Sequence, residues 1–180
     1  STKFFSGHSD ILGGVVCTNH TNEISNNIRE YQVTAGAVPS PFDCWLLNRS
    51  LATFPLRFAK QCSSAFDIAA LLKAEPGIEK VFYPGLPSHP QHALAKKQMT
   101  TGFGSIISVL IKGGEKQAMD FAGRLNIFKH ATSLGGVESL AEHRRSAEGN
   151  HPVSPENLIR LSIGIENTND LMEDLKQALN

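Results

Sequence analysis

The sequence has few cysteines, no excess of either charge and no long apolar run. Its three cysteines are far apart and form no C-x-x-C pair, which argues against a cysteine-based zinc site or an even disulfide set. The 17 basic residues balance the 17 acidic ones, so no net field draws the chain to nucleic acid or to an anionic membrane. No apolar stretch approaches the roughly 20 residues that cross a bilayer. We therefore expect a cytoplasmic protein that binds neither nucleic acid nor membrane.

Several familiar site motifs are also missing from the sequence. It contains no P-loop, no G-x-G-x-x-G and no G-x-S-x-G. His89 and His92 have H-x-x-H spacing, but Pro84, Pro87 and Pro90 argue against the regular helix that a pair of metal-binding histidines prefers. We expect no metal site.

The composition is that of a globular protein, with 41% hydrophobic and 19% charged residues among 180, enough for one domain or slightly more. In the first part of the chain, the residue pattern predicts a buried strand over residues 11–17 and a helix over residues 22–31. A proline-containing turn over residues 34–41 leads into a second helix over residues 42–51. Pro55 interrupts this helix and is the predicted hinge between two domains.

Beyond Pro55 the pattern alternates between strands and helices, which predicts an α+β unit of about four strands and four helices. The strands are expected at residues 78–83, 105–112, 127–131 and 158–165; the helices are expected at residues 58–72, at residues 91–99, around residues 118–125, and after a cap at Thr168 or Asn169. The expected domains are therefore residues 1–55 and 56–180.

Lys3 is the first candidate for chemistry. It lies beside Phe4 and Phe5 and before a compact turn, where loss of solvent would lower the pKa of its amine and free it for Schiff-base formation. The neighbouring Thr2 could donate its hydroxyl to a phosphate. Alone, the pair is only suggestive, because most lysines are solvated.

Arg160 is a more pointed candidate, because it lies inside an apolar strand. A guanidinium there needs an anion, and a ligand carboxylate matches its fork in bidentate fashion. A structural ion pair with Glu or Asp is the alternative, and spacing alone slightly favours it.

Ser133 opens a turn with two following glycines that let a ligand approach the backbone, although ordinary turns have the same pattern. The basic cluster at residues 143–145 reads as a solvated loop or helix end.

These residues occur within motifs that span the whole chain. Thr2 and Lys3 precede Gly-His-Ser-Asp at residues 7–10 and Gly-Gly-Val-Val at residues 13–16; the other motifs are residues 36–43, Arg49 with Thr53 and Arg57, and residues 83–92, 133–140 and 160–166. In this order they resemble the second half of the Cys/Met-metabolism family of pyridoxal-phosphate (PLP) enzymes, whose members include cystathionine γ-lyase, cystathionine γ-synthase and methionine γ-lyase.

The resemblance implies an α/β protein of the fold-type I PLP-dependent transferase class. It also implies that the chain comprises the end of the large cofactor domain and the small C-terminal α+β domain. Lys3 would hold the cofactor covalently and then act as general base and acid, and Thr2 would help to bind the cofactor phosphate. Arg160 would bind the substrate α-carboxylate, with Ser133 and the Leu134 backbone at the same end of the site.

The sequence departs from the family in three respects. The family's S-x-T-K arrangement has a further hydroxyl residue that would precede Ser1, and the family's N-terminal half, with further cofactor ligands, has no counterpart. We therefore expect this chain alone to be inactive and to need the missing half or a partner chain. Thr132 stands where enzymes acting at the γ-carbon of cystathionine often have glutamate, which weakens a γ-lyase or γ-synthase assignment.

The function that the resemblance implies is PLP-dependent carbon–sulfur chemistry, by elimination or γ-replacement, on sulfur amino acids. The relation is nearest to cystathionine γ-lyase and γ-synthase. Methionine γ-lyase, O-acylhomoserine sulfhydrylase and a non-catalytic assembly module are the alternatives. The parent protein is expected to be a homodimer or homotetramer.

Overall fold

The computed structural model describes residues 1–180. It divides into two compact units, unit 1 (Ser1–Phe54) and unit 2 (Pro55–Asn180). Pro55, the predicted hinge, lies at this division, in the first turn of helix α3 (Phe54–Ala74). A proline is tolerated there because the first N–H groups of a helix have no partner within it.

Unit 1 contains two helices, α1 (Glu23–Ala35) and α2 (Pro41–Leu51). Asn22 caps α1 through a reciprocal capping box, and Gly36 ends it with φ of 67°, a conformation that glycine adopts without steric cost. Ser40 caps α2, and a proline follows at its first position. Both predicted helices are confirmed, although α1 runs four residues further than expected.

The strand predicted over residues 11–17 is wrong. These residues have no regular secondary structure, and all but Ile11 and Gly13 are exposed. Unit 1 contains no β-strand, so the backbone of this β-branched run has no ladder partner. A run with strand propensity becomes a strand only where another strand pairs with it.

Unit 2 is built on a five-stranded mixed sheet. Its strands in chain order are β1 (Ile78–Phe82), β2 (Ile106–Ile111), β3 (Lys129–His130), β4 (Leu140–His143) and β5 (Leu158–Ser162). Their order in space is β1-β2-β5-β4-β3, with antiparallel pairing throughout except between β3 and β4, which run parallel. The four predicted strands are confirmed in place, and β4 is additional.

Unit 2 contains four α-helices, as the sequence predicted: α3, α4 (His92–Gln98), α5 (Glu115–Arg124) and α6 (Thr168–Leu179). Helix α3 buries Ile68, Ala69 and Leu72, and α6 buries Leu171 and Leu175, in one core with the sheet. The side chain that caps α6 belongs to Asn167, one residue before the expected cap. No helix combines the length and apolar character that spanning a membrane requires.

Strand β4 was not predicted, because Leu140–His143 has no apolar alternation. All four of its residues are nevertheless buried, including Glu142 and His143. A short 3₁₀ helix, Arg145–Glu148, follows it. The expectation of a solvated loop or helix end at residues 143–145 is wrong for His143, which belongs to a strand paired on both edges and whose two ring nitrogens contact Ser146 Oγ and Glu156 O, each at 2.6 Å. Arg145 begins the 3₁₀ helix and so lies at a helix end.

Candidate active site

Thr2 and Lys3 lie on a tightly hydrogen-bonded turn in unit 1. The Thr2 hydroxyl accepts from Gly13 N at 2.9 Å and donates to Gly13 O at 3.1 Å. Lys3 O accepts from Gly7 N at 2.8 Å. Ser6, which is fully buried, donates its hydroxyl to Thr2 O at 3.2 Å. The backbone that carries the lysine is thus fixed on both sides.

The aromatic residues after Lys3 pack within unit 1 and do not bury the lysine. The Phe5 ring meets the Phe54 ring edge-on, with centroids 5.1 Å apart. Phe4 is half-buried, whereas Lys3 is exposed. The expected loss of solvent around Lys3 is therefore not present in this chain, and the residue is exposed on a hydrogen-bonded turn.

A second group of candidate residues lies in unit 2, on the segment that we call the Ser133 loop (residues 133–139). Ser133 has φ of 138°, a region that residues other than glycine rarely adopt and that is frequent at functional sites. Leu134 follows it and is half-buried. The loop is fastened by Gly135 N, which donates to Ser162 Oγ at 3.0 Å, and by Gly136 O, which accepts from Gln61 Nε2 at 2.7 Å.

The far end of the Ser133 loop is held by Glu166, just after β5. Its carboxylate accepts from Ser139 N at 2.7 Å and from Ser139 Oγ at 2.8 Å. The same hydroxyl accepts from Gly164 N at 2.8 Å. All these groups are partners inside unit 2, so the loop conformation is determined by the fold.

Arg160 lies on β5 next to this loop. Its Nη2 donates to Ser133 O at 3.0 Å, and this is the only hydrogen bond that the guanidinium makes in the chain. Its side chain is 20% exposed. The remaining N–H groups of Arg160 are therefore available to an outside acceptor, as a carboxylate-binding residue requires.

Arg160 also has an anionic neighbour within the chain. Glu142 lies opposite it in the β4–β5 register, and its Oε2 is 2.5 Å from Arg160 Nη2. The N–H bonds of Nη2 do not point at Oε2, which receives no hydrogen bond although it is buried. The contact is therefore an ion pair without an aligned hydrogen bond, and the alternative interpretation of Arg160 as a structural ion-pair partner holds in the structure.

Arg144 binds the other side of this carboxylate, with Nη1 3.1 Å from Glu142 Oε1. Its Nε lies 3.5 Å from Glu148 Oε1. Hydrogen bonds from the hydroxyl and N–H of Ser154, and from the N–H of Val153, lower the pKa of Glu148 to about 2. Both carboxylates beside Arg144 thus hold it in place.

The two histidines with H-x-x-H spacing are engaged by the backbone. His89 Nδ1 accepts from Gln91 N at 3.2 Å, and His92 Nδ1 lies 2.8 Å from Pro84 O. No group of three or more His, Cys, Asp and Glu side chains is arranged to hold a metal ion.

The sequence-predicted candidates thus fall into two groups, one in each unit. Thr2 and Lys3 are adjacent in unit 1; in unit 2, Arg160 contacts Ser133, and Leu134 follows in the same loop. Glu142 was missed, because the sequence does not show which residue faces Arg160 across the sheet. The only available signal was that the alternative for Arg160 required a Glu or Asp partner.

A comparison with protein-family models shows which family the chain belongs to. The model described as Cys/Met metabolism PLP-dependent enzyme matches residues 1–180. The chain belongs to this family. The fold-type I class expected from the resemblance is consistent with the solved structures that it matches.

Relatives in the Cys/Met family match the chain along almost its entire length. Cystathionine gamma-synthase of Mycobacterium leprae is 44% identical over 185 residues, covering 100% of this chain and 47% of the relative. Human cystathionine gamma-lyase is 44% identical over 187 residues, which cover 99% of this chain and 46% of the relative. The chain therefore spans about half the length of the curated relatives that it matches.

Two solved structures of the family have the same backbone. The crystal structure of metB from Corynebacterium glutamicum superposes with a TM-score of 0.92 at 43% identity, over 99% of this chain and 47% of that one. Apo CalE6, a methionine gamma lyase from Micromonospora echinospora, gives a TM-score of 0.88 at 42% identity, over 99% and 48%.

Proposed function

We propose that the protein carrying this chain performs PLP-dependent carbon–sulfur bond chemistry on sulfur amino acids, most like cystathionine γ-synthase and γ-lyase. The family match over residues 1–180 is the observation that carries the proposal. Relatives named cystathionine gamma-synthase and cystathionine gamma-lyase are 44% and 46% identical to this chain. The comparison therefore favours neither the synthesis nor the cleavage of cystathionine. On this basis, unit 1 is the end of the cofactor domain and unit 2 is the small C-terminal domain.

The residues of unit 1 fit the cofactor, with one adjustment. Lys3 is an exposed residue on a fixed turn, which suits covalent attachment of its amine to an aldehyde. The single proton of the Thr2 hydroxyl is directed at Gly13 O, so it must turn away from this carbonyl to donate to a phosphate. Thr2 can do so while still accepting from Gly13 N.

When bound, PLP supplies an electron sink for the negative charge that develops on the substrate. The chain's own contribution is to hold and move protons. Lys3 Nζ takes the proton from the substrate α-carbon and returns a proton later in the reaction. The hydrogen bonds of Thr2 and Gly7 keep the backbone at Lys3 from shifting as its side chain exchanges partners.

Arg160 binds the substrate α-carboxylate in this proposal. Its guanidinium is partly exposed and makes one hydrogen bond within the chain, which leaves a planar set of donors for a carboxylate. Ser133 and the Leu134 backbone lie at the same end of the site. The loop that carries them is fixed through Ser139 and Gly135, so the carboxylate pocket is preorganised.

Methionine γ-lyase activity is the second candidate, because CalE6 bears that name and superposes over 99% of the chain. Thr132, which stands where enzymes acting on cystathionine often have glutamate, also favours it. Thr132 is exposed, as a residue that contacts the distal part of a substrate must be before the substrate binds.

We also propose that unit 1 is covered by further protein, as in a homodimer or homotetramer. Helix α1 buries none of its residues, and Leu12, Val16, Tyr31 and Phe42 are each at least 65% exposed. Apolar surface of this extent marks a protein contact. The three cysteines are all free, which suits a reducing, cytoplasmic setting.

The proposal is tested by assaying the intact, PLP-loaded protein against cystathionine, methionine, cysteine and an activated homoserine ester. Turnover of cystathionine, or its formation from the homoserine ester and cysteine, supports the first candidate. Preferential turnover of methionine supports the second. A PLP-loaded protein that turns over none of the four contradicts both.

A further inference from the structure

Glu142 occupies an unusual position beside the carboxylate-binding residue. Its side chain is 5% exposed, and one of its oxygens, Oε2, lies 2.5 Å from Arg160 Nη2. This oxygen receives no hydrogen bond, whereas buried carboxylate oxygens normally have a donor. The contact between the two side chains is thus an ion pair without an aligned hydrogen bond, and the hydrogen bond that Arg160 makes goes to Ser133 O.

The Glu142 carboxylate cannot easily move away from Arg160. It belongs to β4, a strand paired on both edges, and its other oxygen, Oε1, is held by Arg144 Nη1 at 3.1 Å. Arg144 is the more exposed of the two arginines, at 33% against 20% for Arg160. One buried carboxylate therefore neutralises part of the charge of two arginines.

We propose that Glu142 is a specificity-determining residue that opposes the binding of a carboxylate at Arg160. The proposal rests on the carboxylate-binding role proposed above for Arg160. A ligand carboxylate that binds this guanidinium comes close to a fixed, buried negative charge, and like charges at such short range repel strongly where water is excluded. Glu142 thus sets an upper limit on the affinity for the α-carboxylate, which favours release of products that carry the same group.

Arg144 moderates this repulsion. Arg144 contacts Oε1 of Glu142, the oxygen that Arg160 does not contact. Its positive charge therefore offsets part of the negative charge that Glu142 presents to a ligand. Loss of the carboxylate charge and loss of Arg144 must then have opposite effects on carboxylate binding. A purely structural role for the cluster predicts that both changes weaken binding, since either one disturbs the position of Arg160.

The test compares glycine with glycinamide, which differ only in the carboxylate. Dissociation constants are measured by calorimetry on the intact, PLP-loaded protein and on its Glu142→Gln and Arg144→Gln variants. We expect Glu142→Gln to bind glycine about tenfold more tightly, with glycinamide unchanged. We expect Arg144→Gln to bind glycine about threefold more weakly, again with glycinamide unchanged. Asp120→Asn is the control, because Asp120 is an exposed carboxylate on α5 that pairs with Lys116, and it should change neither constant.

Two results would overturn the inference. One is a Glu142→Gln variant that binds glycine no better than the unaltered protein; the other is an equal loss of glycine and glycinamide binding in both variants. If Glu142→Gln does not fold, an unchanged or improved affinity of Arg144→Gln for glycine is enough to contradict it. An Arg160→Lys variant measured alongside separates the two proposals: if it binds glycine normally, the carboxylate role of Arg160 itself is wrong.

Discussion

Glu142 and Arg160 face each other across strands β4 and β5, with Oε2 of the carboxylate 2.5 Å from Nη2 of the guanidinium. The sequence presented a structural ion pair and a ligand-binding arginine as alternatives for Arg160. The geometry is compatible with both at once, because the ion pair uses no aligned N–H group. Arg160 donates one hydrogen bond within the chain, to Ser133 O, and keeps its other donors for a ligand.

Arg160→Lys should impair every substrate that carries an α-carboxylate. Lysine retains the positive charge, and so a partner for Glu142, but it cannot form a bidentate contact. We expect the Michaelis constants to rise about thirtyfold, which corresponds to about 2 kcal/mol. Steady-state kinetics of the intact protein measure this change.

Arg145→Lys is the matched control for that measurement. Arg145 is also in unit 2, but its guanidinium contacts the carbonyl of Ser154 at 3.2 Å and has no place in the proposed site. Its Michaelis constants should stay unchanged. Unchanged constants in Arg160→Lys would show that the α-carboxylate binds elsewhere.

Gly164→Ala should displace the Ser133 loop. A Cβ at Gly164 would collide with Val137 O and Glu166 Oε2 and would lie 2.7 Å from the carbonyl carbon of Glu138. Because these atoms hold the loop in place, we expect a loss of about 2 kcal/mol or more in the free energy of unfolding, measured by urea denaturation.

Gly123→Ala provides the comparison. Gly123 lies in α5, and a Cβ there would meet nothing within 4 Å. The same substitution should stabilise the protein by about 0.5–1 kcal/mol, because alanine favours the helix. Equal effects at the two glycines would mean that the Ser133 loop is not closely packed.

Asp174→Ala should destabilise unit 2. This buried carboxylate accepts from Asn126 N at 2.9 Å and from Ile127 N at 2.8 Å, and so ties α6 to the segment before β3. Burial raises the pKa of Asp174, but these hydrogen bonds lower it by more, so that the net shift is downward. Removing the acceptor leaves these partly buried N–H groups without their partner, at a cost of about 1–3 kcal/mol. Glu173→Ala, an exposed acidic residue on the same helix, should cost less than about 0.5 kcal/mol.

Glu148 should make stability depend on pH in the acid range. Its pKa falls from 4.5 to about 2 on folding, so its contribution is fully present above about pH 4.5 and is lost as pH falls towards 2. Urea midpoints measured from pH 5 to pH 2 should therefore decline less steeply for Glu148→Gln than for the unaltered protein. Parallel declines would show that Ser154 and Val153 do not stabilise the ionised carboxyl group.

The helices and most strands could be predicted because their patterns are local. The helical spacing of apolar residues over residues 58–72 and the apolar run of β2 are visible in the sequence, and the structure confirms the elements they mark. Strand β4 could not be predicted, since its burial depends on pairing with β3 and β5 and not on its own composition. The wrong prediction of a strand at residues 11–17 has the opposite cause. These residues have strand propensity, but unit 1 contains no strand to pair with them.

The candidate site was predictable where it follows motifs and unpredictable where it depends on the sheet register. Lys3, Ser133 and Arg160 stand out in the sequence. Glu142 acquires its position from the register that sets it opposite Arg160, which no local pattern encodes. The expected desolvation of Lys3 failed for a related reason, since Phe5 turns towards Phe54 instead.

The central claim is that Lys3 holds the cofactor, and one measurement tests it directly. The intact, PLP-loaded protein is reduced with borohydride and digested, and the pyridoxyl-labelled peptide is identified by mass spectrometry. We expect a label on Lys3 that is absent from a Lys3→Ala variant. A label on any other lysine, or one that persists in Lys3→Ala, would contradict it.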